Sequence, residues 1–97
     1  MLTRSQVAYL RAQAHGHKPV VRVGQRGLTE AVVAELERAL ADHELVKIRL
    51  AGADRATRAA WVAQLCERTG AEAVQQIGAT ASLFRRNADD PRITLPA

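Results

Sequence analysis

Hydrophobic positions along the chain switch between a period of about 3.6 residues and a period of two, and the switches mark its elements. Residues 3–15 keep the helical period, with Val7, Leu10 and Ala14 on one stripe. Thr3 and Gln6 have capping-box spacing there, and Gly16 is a natural stop. Val20, Val21 and Val23 are β-branched and follow Pro19, which biases Lys18 away from the α region, so a short strand is expected to run up to Gly24. From Leu28 to about His43 the helical period returns, with Val32, Val33, Leu36 and Leu40 on one stripe and Glu30 where its charge suits the positive end of the helix dipole. Leu45 to Leu50 alternates: Val46, Ile48 and Leu50 make one face apolar, and Lys47 and Arg49 make the other basic. Asp54 is placed to cap a third helix that carries Ala59, Val62, Leu65 and Cys66 inward and ends at Gly70.

Two further strands, Ala71 to Ile77 and Ala81 to Arg86, are expected to form a hairpin through Gly78, Ala79 and Thr80. Arg85 and Arg86 fall on opposite faces of the second of these, so at most one extends a given surface. Asn87 to Pro91 reads as mobile, and the weak alternation of Arg92 to Pro96 could add a short edge strand. The order of elements predicts an α/β two-layer sandwich, three helices against a mainly four-stranded mixed sheet, with residues 1–97 as a single domain.

The stretch from Lys18 to Glu30 carries the strongest chemical signal. A strand breaks there at Gly24-Gln25-Arg26-Gly27 and becomes a helix, and at least one glycine is expected at positive φ or beneath a close neighbour. A strand, a G-x-x-G turn and a helix N-terminus together make an anion site, since turn amides and the free N–H groups of the first helical turn can face a phosphate while Arg26 adds a bidentate contact. Two glycines three apart also occur in plain strand-to-helix connections. The loop lacks the Lys-Ser/Thr pair of a nucleotide-binding P-loop, which argues against a triphosphate, and its basic surroundings argue for a polyanion. An aspartate at Gly27 is expected to abolish binding of such a polyanion while leaving the fold largely intact, because an acid is tolerated at a helix N-terminus.

Charge sharpens this reading. Residues 1–30 hold Arg4, Arg11, Lys18, Arg22 and Arg26 against Glu30 alone, an excess of four equal to the whole net charge of +4; the remaining nine basic and nine acidic side chains balance. Such a local positive field suits a nucleic acid or an anionic membrane surface. Arg4 and Arg11 are seven apart on one helix face and are read as extending the basic surface; Lys47 and Arg49 are candidates for backbone phosphates, with a merely solvated strand face as the alternative. Trp61 lies off its helix's apolar stripe and reads as packing before it reads as a platform for a base.

Other chemistry is thin. Hydrophobic residues make up 47% and charged residues 25% of the chain, an ordinary globular composition. The one cysteine, Cys66, fits a reducing compartment and the role of a small buried hydrophobe, and His15 and His17 have no neighbouring carboxylate or cysteine to complete a metal set. There is no signal-peptide pattern and no stretch near the roughly 18 apolar residues of a membrane span, so a cytoplasmic protein without cofactor, metal, small-molecule substrate or membrane partner is expected, as a monomer. No arrangement of nucleophile and base, or of paired carboxylates, can be placed, so an enzyme is not expected.

With the loop placed, the chain resembles a CRM domain, the RNA-binding module whose stand-alone bacterial members are called YhbY. The resemblance rests on Ala14-His15 with Lys18-Pro-Val-Val, Gly24-Gln-Arg-Gly-Leu-Thr-Glu30, His43-Glu-Leu-Val-Lys-Ile48, Thr69-Gly-Ala71, Gln76-Ile-Gly78 and Leu83-Phe-Arg85, and it spans nearly the whole chain. It implies a fold like the C-terminal domain of translation initiation factor three and a loop similar to that of KH domains, which clamp an RNA backbone. It also implies non-enzymatic binding of ribosomal RNA or its precursor on the way to the large ribosomal subunit. The site expected on this basis is Gly24, Gln25, Arg26 and Gly27 with Lys18, Arg22, Arg4, Arg11, Lys47 and Arg49. The chain departs from the family where a basic residue, large aliphatics and Tyr-Arg-Pro are common, with Ala79, Ala81-Ser82 and Phe84-Arg-Arg86 in their place. A protein-interaction module docking on a ribosomal protein or assembly factor is the alternative.

Overall fold

A computed structural model describes residues 1–97. Seven elements follow in chain order: α1 (Arg4–His15), β1 (Val21–Val23), α2 (Glu30–His43), β2 (Leu45–Leu50), α3 (Arg55–Thr69), β3 (Glu72–Ile77) and β4 (Thr80–Phe84). The strands form one mixed sheet in the order β1-β2-β4-β3, with β1 and β2 parallel and the other pairs antiparallel. Parallel neighbours need a long crossover connection, and α2 supplies it.

Local chemistry sets each boundary. Thr3 caps α1 through both halves of the capping box, Thr29 caps α2 by accepting from the Val32 N–H, and the Asp54 carboxylate accepts from the Thr57 N–H at 2.7 Å to cap α3. Each cap satisfies an otherwise orphaned amide, an effect of about 1 kcal/mol. That bond, ahead of the nearby Arg58 charge, holds the Asp54 carboxyl below its ordinary value. Gly70 ends α3 in the left-handed region at φ 76°, which costs glycine nothing. Gly78 and Ala79 close the β3–β4 hairpin in two residues, with only Gly78 at positive φ, as a turn of the II′ kind requires.

The sheet carries helices on both faces. Val46, Ile48 and Leu50 of β2 join Val21, Val23, Leu36, Leu40, Val62, Leu65 and Leu83 in the main core beneath α2 and α3. Leu45 and Phe84 point the other way and meet Leu10 and Ala14 of α1 with Val74. Three helices and a mixed four-stranded sheet are as expected; the stacking of α1 on the opposite face from α2 and α3 is added by the structure. The short α1 covers only part of that face, so Arg22, Lys47 and Arg49, on the same side of β1 and β2, remain outside its cover.

Three expectations are revised. Ala59 is exposed, and Trp61 packs against the main core in its place, because α3 is turned to bring the indole over the β1–α2 loop. Asn87 to Pro91 is anchored: the backbone N–H groups of Asn87, Arg92 and Ile93 each donate to the Glu44 carboxylate at 2.7 Å, and the Asn87 side-chain amide donates to the Ala41 carbonyl. The segment after it forms no strand; Ile93 and Leu95 instead pack on the α1 core, and Gln6 donates to the Pro96 carbonyl.

Glu44 makes this possible. It follows α2 at φ 63°, a costly conformation for a residue other than glycine, and it is fully buried. Burial raises its carboxyl, but the three amide donors and the Arg86 charge outweigh burial and hold it below the ordinary glutamate value.

Candidate nucleic-acid interface

The loop after β1 is a tight turn closed by the Gly27 N–H donating to the Gly24 carbonyl at 3.0 Å, with Gln25 and Arg26 at its exposed tip. Gly27 adopts φ 69°, and a Cβ added there would lie 3.5 Å from the Trp61 indole. Of the two reasons for a glycine, the positive φ applies at Gly27; a Cβ at 3.5 Å from the indole would be in ordinary van der Waals contact. Gly24 differs, since a Cβ there would meet open space and its φ is outside the left-handed region. An aspartate at Gly27 would add backbone strain to any change in charge, so the expectation that it leaves the fold untouched is withdrawn, and Gly24 is the position where charge alone can be varied.

Past the turn, the Thr29 N–H donates to the Gly27 carbonyl and the Val32 N–H to the Thr29 hydroxyl. The amides of Gln25, Arg26, Leu28, Glu30 and Ala31 have no partner in the chain. They run from the turn tip into the positive end of α2, an arrangement suited to an anion.

Cations surround this stretch without being neutralised. Lys18, Arg22, Arg26, Lys47 and Arg49 make no ion pair and no side-chain hydrogen bond within the chain. Arg22 and Arg49 stand side by side in the parallel β1–β2 register, and with Lys18 they line a shallow groove that Glu35 enters from α2. The carboxylates of Glu30, Glu37 and Asp90 pair instead with Arg68, Arg85 and Arg92, and those of Glu44 and Asp54 are taken up by backbone amides.

The expected site does not stay together. Arg4 and Arg11 do share a face of α1, but the Arg11 Nε donates to the Val74 carbonyl of β3 at 2.8 Å. That strand is the sheet edge opposite β1. The reading that these two arginines extend the basic surface around the loop is therefore corrected: helical spacing placed them together, but only the stacking of α1 decides which edge they reach. Arg85 is likewise committed, donating to the Glu37 carboxylate at 2.8 Å and the Thr69 carbonyl at 2.9 Å.

Two features escaped the sequence. Trp61 supports the glycine loop from α3, a contact between residues 34 apart that no periodicity signals. Arg55 and Arg58 line a hollow with Gln76 beside the hairpin turn, where the Arg58 Nε is buried without a partner. No group of three or more His, Cys, Asp or Glu side chains lies close enough to hold a metal, and no helix is long and apolar enough to cross a membrane.

Comparison with known proteins identifies the family. The CRS1 / YhbY (CRM) domain model matches residues 2–85. A probable RNA-binding protein of Pseudomonas aeruginosa is 46% identical over 86 residues, which cover 89% of this chain and 83% of that protein. An RNA-binding protein of Haemophilus influenzae is 42% identical over 95 residues, 98% of this chain and 95% of its own length. Among solved structures, a hypothetical protein from Staphylococcus aureus with RNA binding as its proposed role superposes with a TM-score of 0.85 at 30% identity, covering 99% of this chain and 100% of that one. With a family model spanning nearly all of its length and relatives this similar, the chain belongs to the CRS1 / YhbY (CRM) domain family.

Proposed function

We propose that the chain is a non-enzymatic RNA-binding protein, one CRM domain over residues 1–97, that grips a single-stranded backbone at the Gly24–Gly27 loop and along the basic β1–β2 face. The observation that carries this is the coincidence of unpaired amides in the loop and first turn of α2 with unpaired cations beside them. The amides can take one phosphate, with Arg26 reaching its free oxygens; Arg22, Arg49, Lys18 and Lys47 then follow the neighbouring phosphates. Backbone contacts position an RNA without reading its sequence.

The family resemblance supports ribosomal RNA or its precursor as the partner, in assembly of the large ribosomal subunit; the protein is proposed to act as a cytoplasmic monomer. Crosslinking in cells followed by sequencing of the bound RNA tests this: enrichment of large-subunit RNA is expected, and enrichment of unrelated transcripts would overturn it. Recognition of the backbone itself is tested by salt. With about three to five phosphate contacts, log affinity for single-stranded RNA should fall against log salt with a slope of about −2 to −3.5. A flat response would contradict phosphate recognition.

A further inference from the structure

On the exposed side of the sheet, between the C-terminal part of α1, the start of β2 and the anchored tail, lies a cavity of about 430 Å³. Its rim carries His17, Lys18, His43 and Lys47, while Val20 and Ile93 contribute apolar surface. No carboxylate lines it. Of the two acids that flank His43, Glu44 is turned inward onto the amides of Asn87, Arg92 and Ile93, and the exposed Asp42 is not part of the lining. Small-molecule sites commonly fall between about 300 and 1,000 Å³, with mostly apolar walls and a few polar groups that fix orientation.

We propose that this cavity is a nucleotide subsite that takes one unstacked base of the bound RNA against its apolar wall and holds the adjoining phosphate on its cationic rim. The inference rests on the RNA-binding reading and gives that reading a second point of contact. Charge selects the ligand, because a rim of two lysines and two imidazoles without an acid favours an anion, and an apolar wall gives a bare phosphate nothing to bury. A nucleotide supplies both parts, and single-stranded RNA is the form in which a base can be splayed out of the stack.

The chain provides a route from the glycine loop to this cavity. Lys18 and Val20 line both it and the groove that holds Arg22 and Arg49, so the two depressions adjoin. From Val20 to Gly24 the backbone covers about 13 Å at the rise of a strand, short enough for one RNA segment to reach both places. His17 and His43, outside the set expected from sequence, thereby become contacts. Their neighbourhood includes the tail, since Ile93, whose amide is held by Glu44, lines the cavity.

The test uses the full chain and a short single-stranded RNA, intact or with one base removed at each position in turn. For the parent, removal at one position should weaken binding about tenfold, the scale of one base contact, with little change elsewhere. His43→Glu, on the exposed last turn of α2, should bind the intact RNA about as weakly as the parent binds that abasic form, and removal of the base should then cost it nothing more. Melting of the variant checks that it is folded, and His17→Glu serves if it is not. Amide shifts of Lys18, Val20 and Ile93 on titration with adenosine 5′-monophosphate, but not with ribose 5-phosphate, are the second expected result. RNA binding with no position-dependent loss, or equal shifts from the two small ligands, would overturn the subsite and leave the loop reading standing. Absence of any RNA binding would overturn both.

Discussion

At the N-terminal end of α2, the amides of Gln25, Arg26, Leu28, Glu30 and Ala31 are left without partners and the adjacent cations without counter-ions. At the C-terminal end of the same helix, one buried carboxylate is shared among three amides at 2.7 Å, and the chain bends through a positive φ to put it there. An unpaired polar group costs little where water reaches it and much where it does not, so the first arrangement can persist only at the surface and is available to a ligand. The second is closed: its hydrogen-bonding capacity is used within the chain, and its role is to hold the tail on the body of the fold. Conspicuous charge or polarity near a helix end therefore does not identify a site. Availability does.

The contrast predicts opposite consequences for mutation at the two ends. The largest loss of stability is expected from Glu44→Gln, which replaces an acceptor for three amides by a group that itself carries N–H donors. A loss of about 2 to 4 kcal/mol in chemical denaturation is expected, with weaker RNA binding only as far as the tail reaches the cavity beside Lys18. The pH dependence has a definite sign. Because the folded protein holds this carboxyl low, its contribution is full above the ordinary value of 4.5 and is lost as pH falls through the folded-state value. The parent's advantage over Glu44→Gln should accordingly shrink on acidification, and a constant gap from pH 7 to pH 3 would show that the carboxylate is not the anchor.

A smaller effect of mixed kind is expected from Gly27→Ala, where the backbone φ is positive and the added methyl would be in ordinary contact with the indole. It should cost about 1 kcal/mol by thermal or denaturant unfolding and weaken RNA binding only in part. Unchanged stability would mean that the turn relaxes to a different conformation. Arg26→Ala should leave melting unaltered and make the salt slope shallower by somewhat under about one unit. Arg92→Ala is the matching control, since the Arg92 side chain pairs with Asp90 while the contact to Glu44 is made by its backbone N–H, which alanine keeps. It should leave the slope as it is; equal effects from both variants would mean that charge acts without regard to place.

Much of the fold was legible because its signals are local. The Thr3–Gln6 capping box, the Asp54 cap, the stop at Gly70, the alternation of β2 and the stripe of Val33, Leu36 and Leu40 each depend on residues within a turn or two of one another. What remained hidden depends on contacts across the chain. Nothing near Glu44 announces that Asn87, Arg92 and Ile93 will close on it, and the polar run Asn87-Ala-Asp-Asp-Pro91 has the composition of a mobile loop. Trp61 is a lone aromatic until α3 brings it to Gly27. The candidate site divides in the same way: the loop and its β1–β2 cations follow from sequence neighbours and strand alternation, whereas the fate of Arg4 and Arg11 depended on which edge of the sheet α1 would bring them to.

Gly24→Asp probes the open end of α2 most directly, because the new side chain enters open space at a position free of backbone strain, beside amides that have no partner. Fluorescence anisotropy with a labelled single-stranded RNA, read beside the melting temperature of the same sample, is the measurement. If the loop grips phosphate, the carboxylate repels it where it should dock, and affinity should fall by more than about tenfold while melting shifts by no more than a degree or two. Parent-like affinity in a variant that melts like the parent would contradict binding at the Gly24–Gly27 loop and leave those glycines as a connection between β1 and α2.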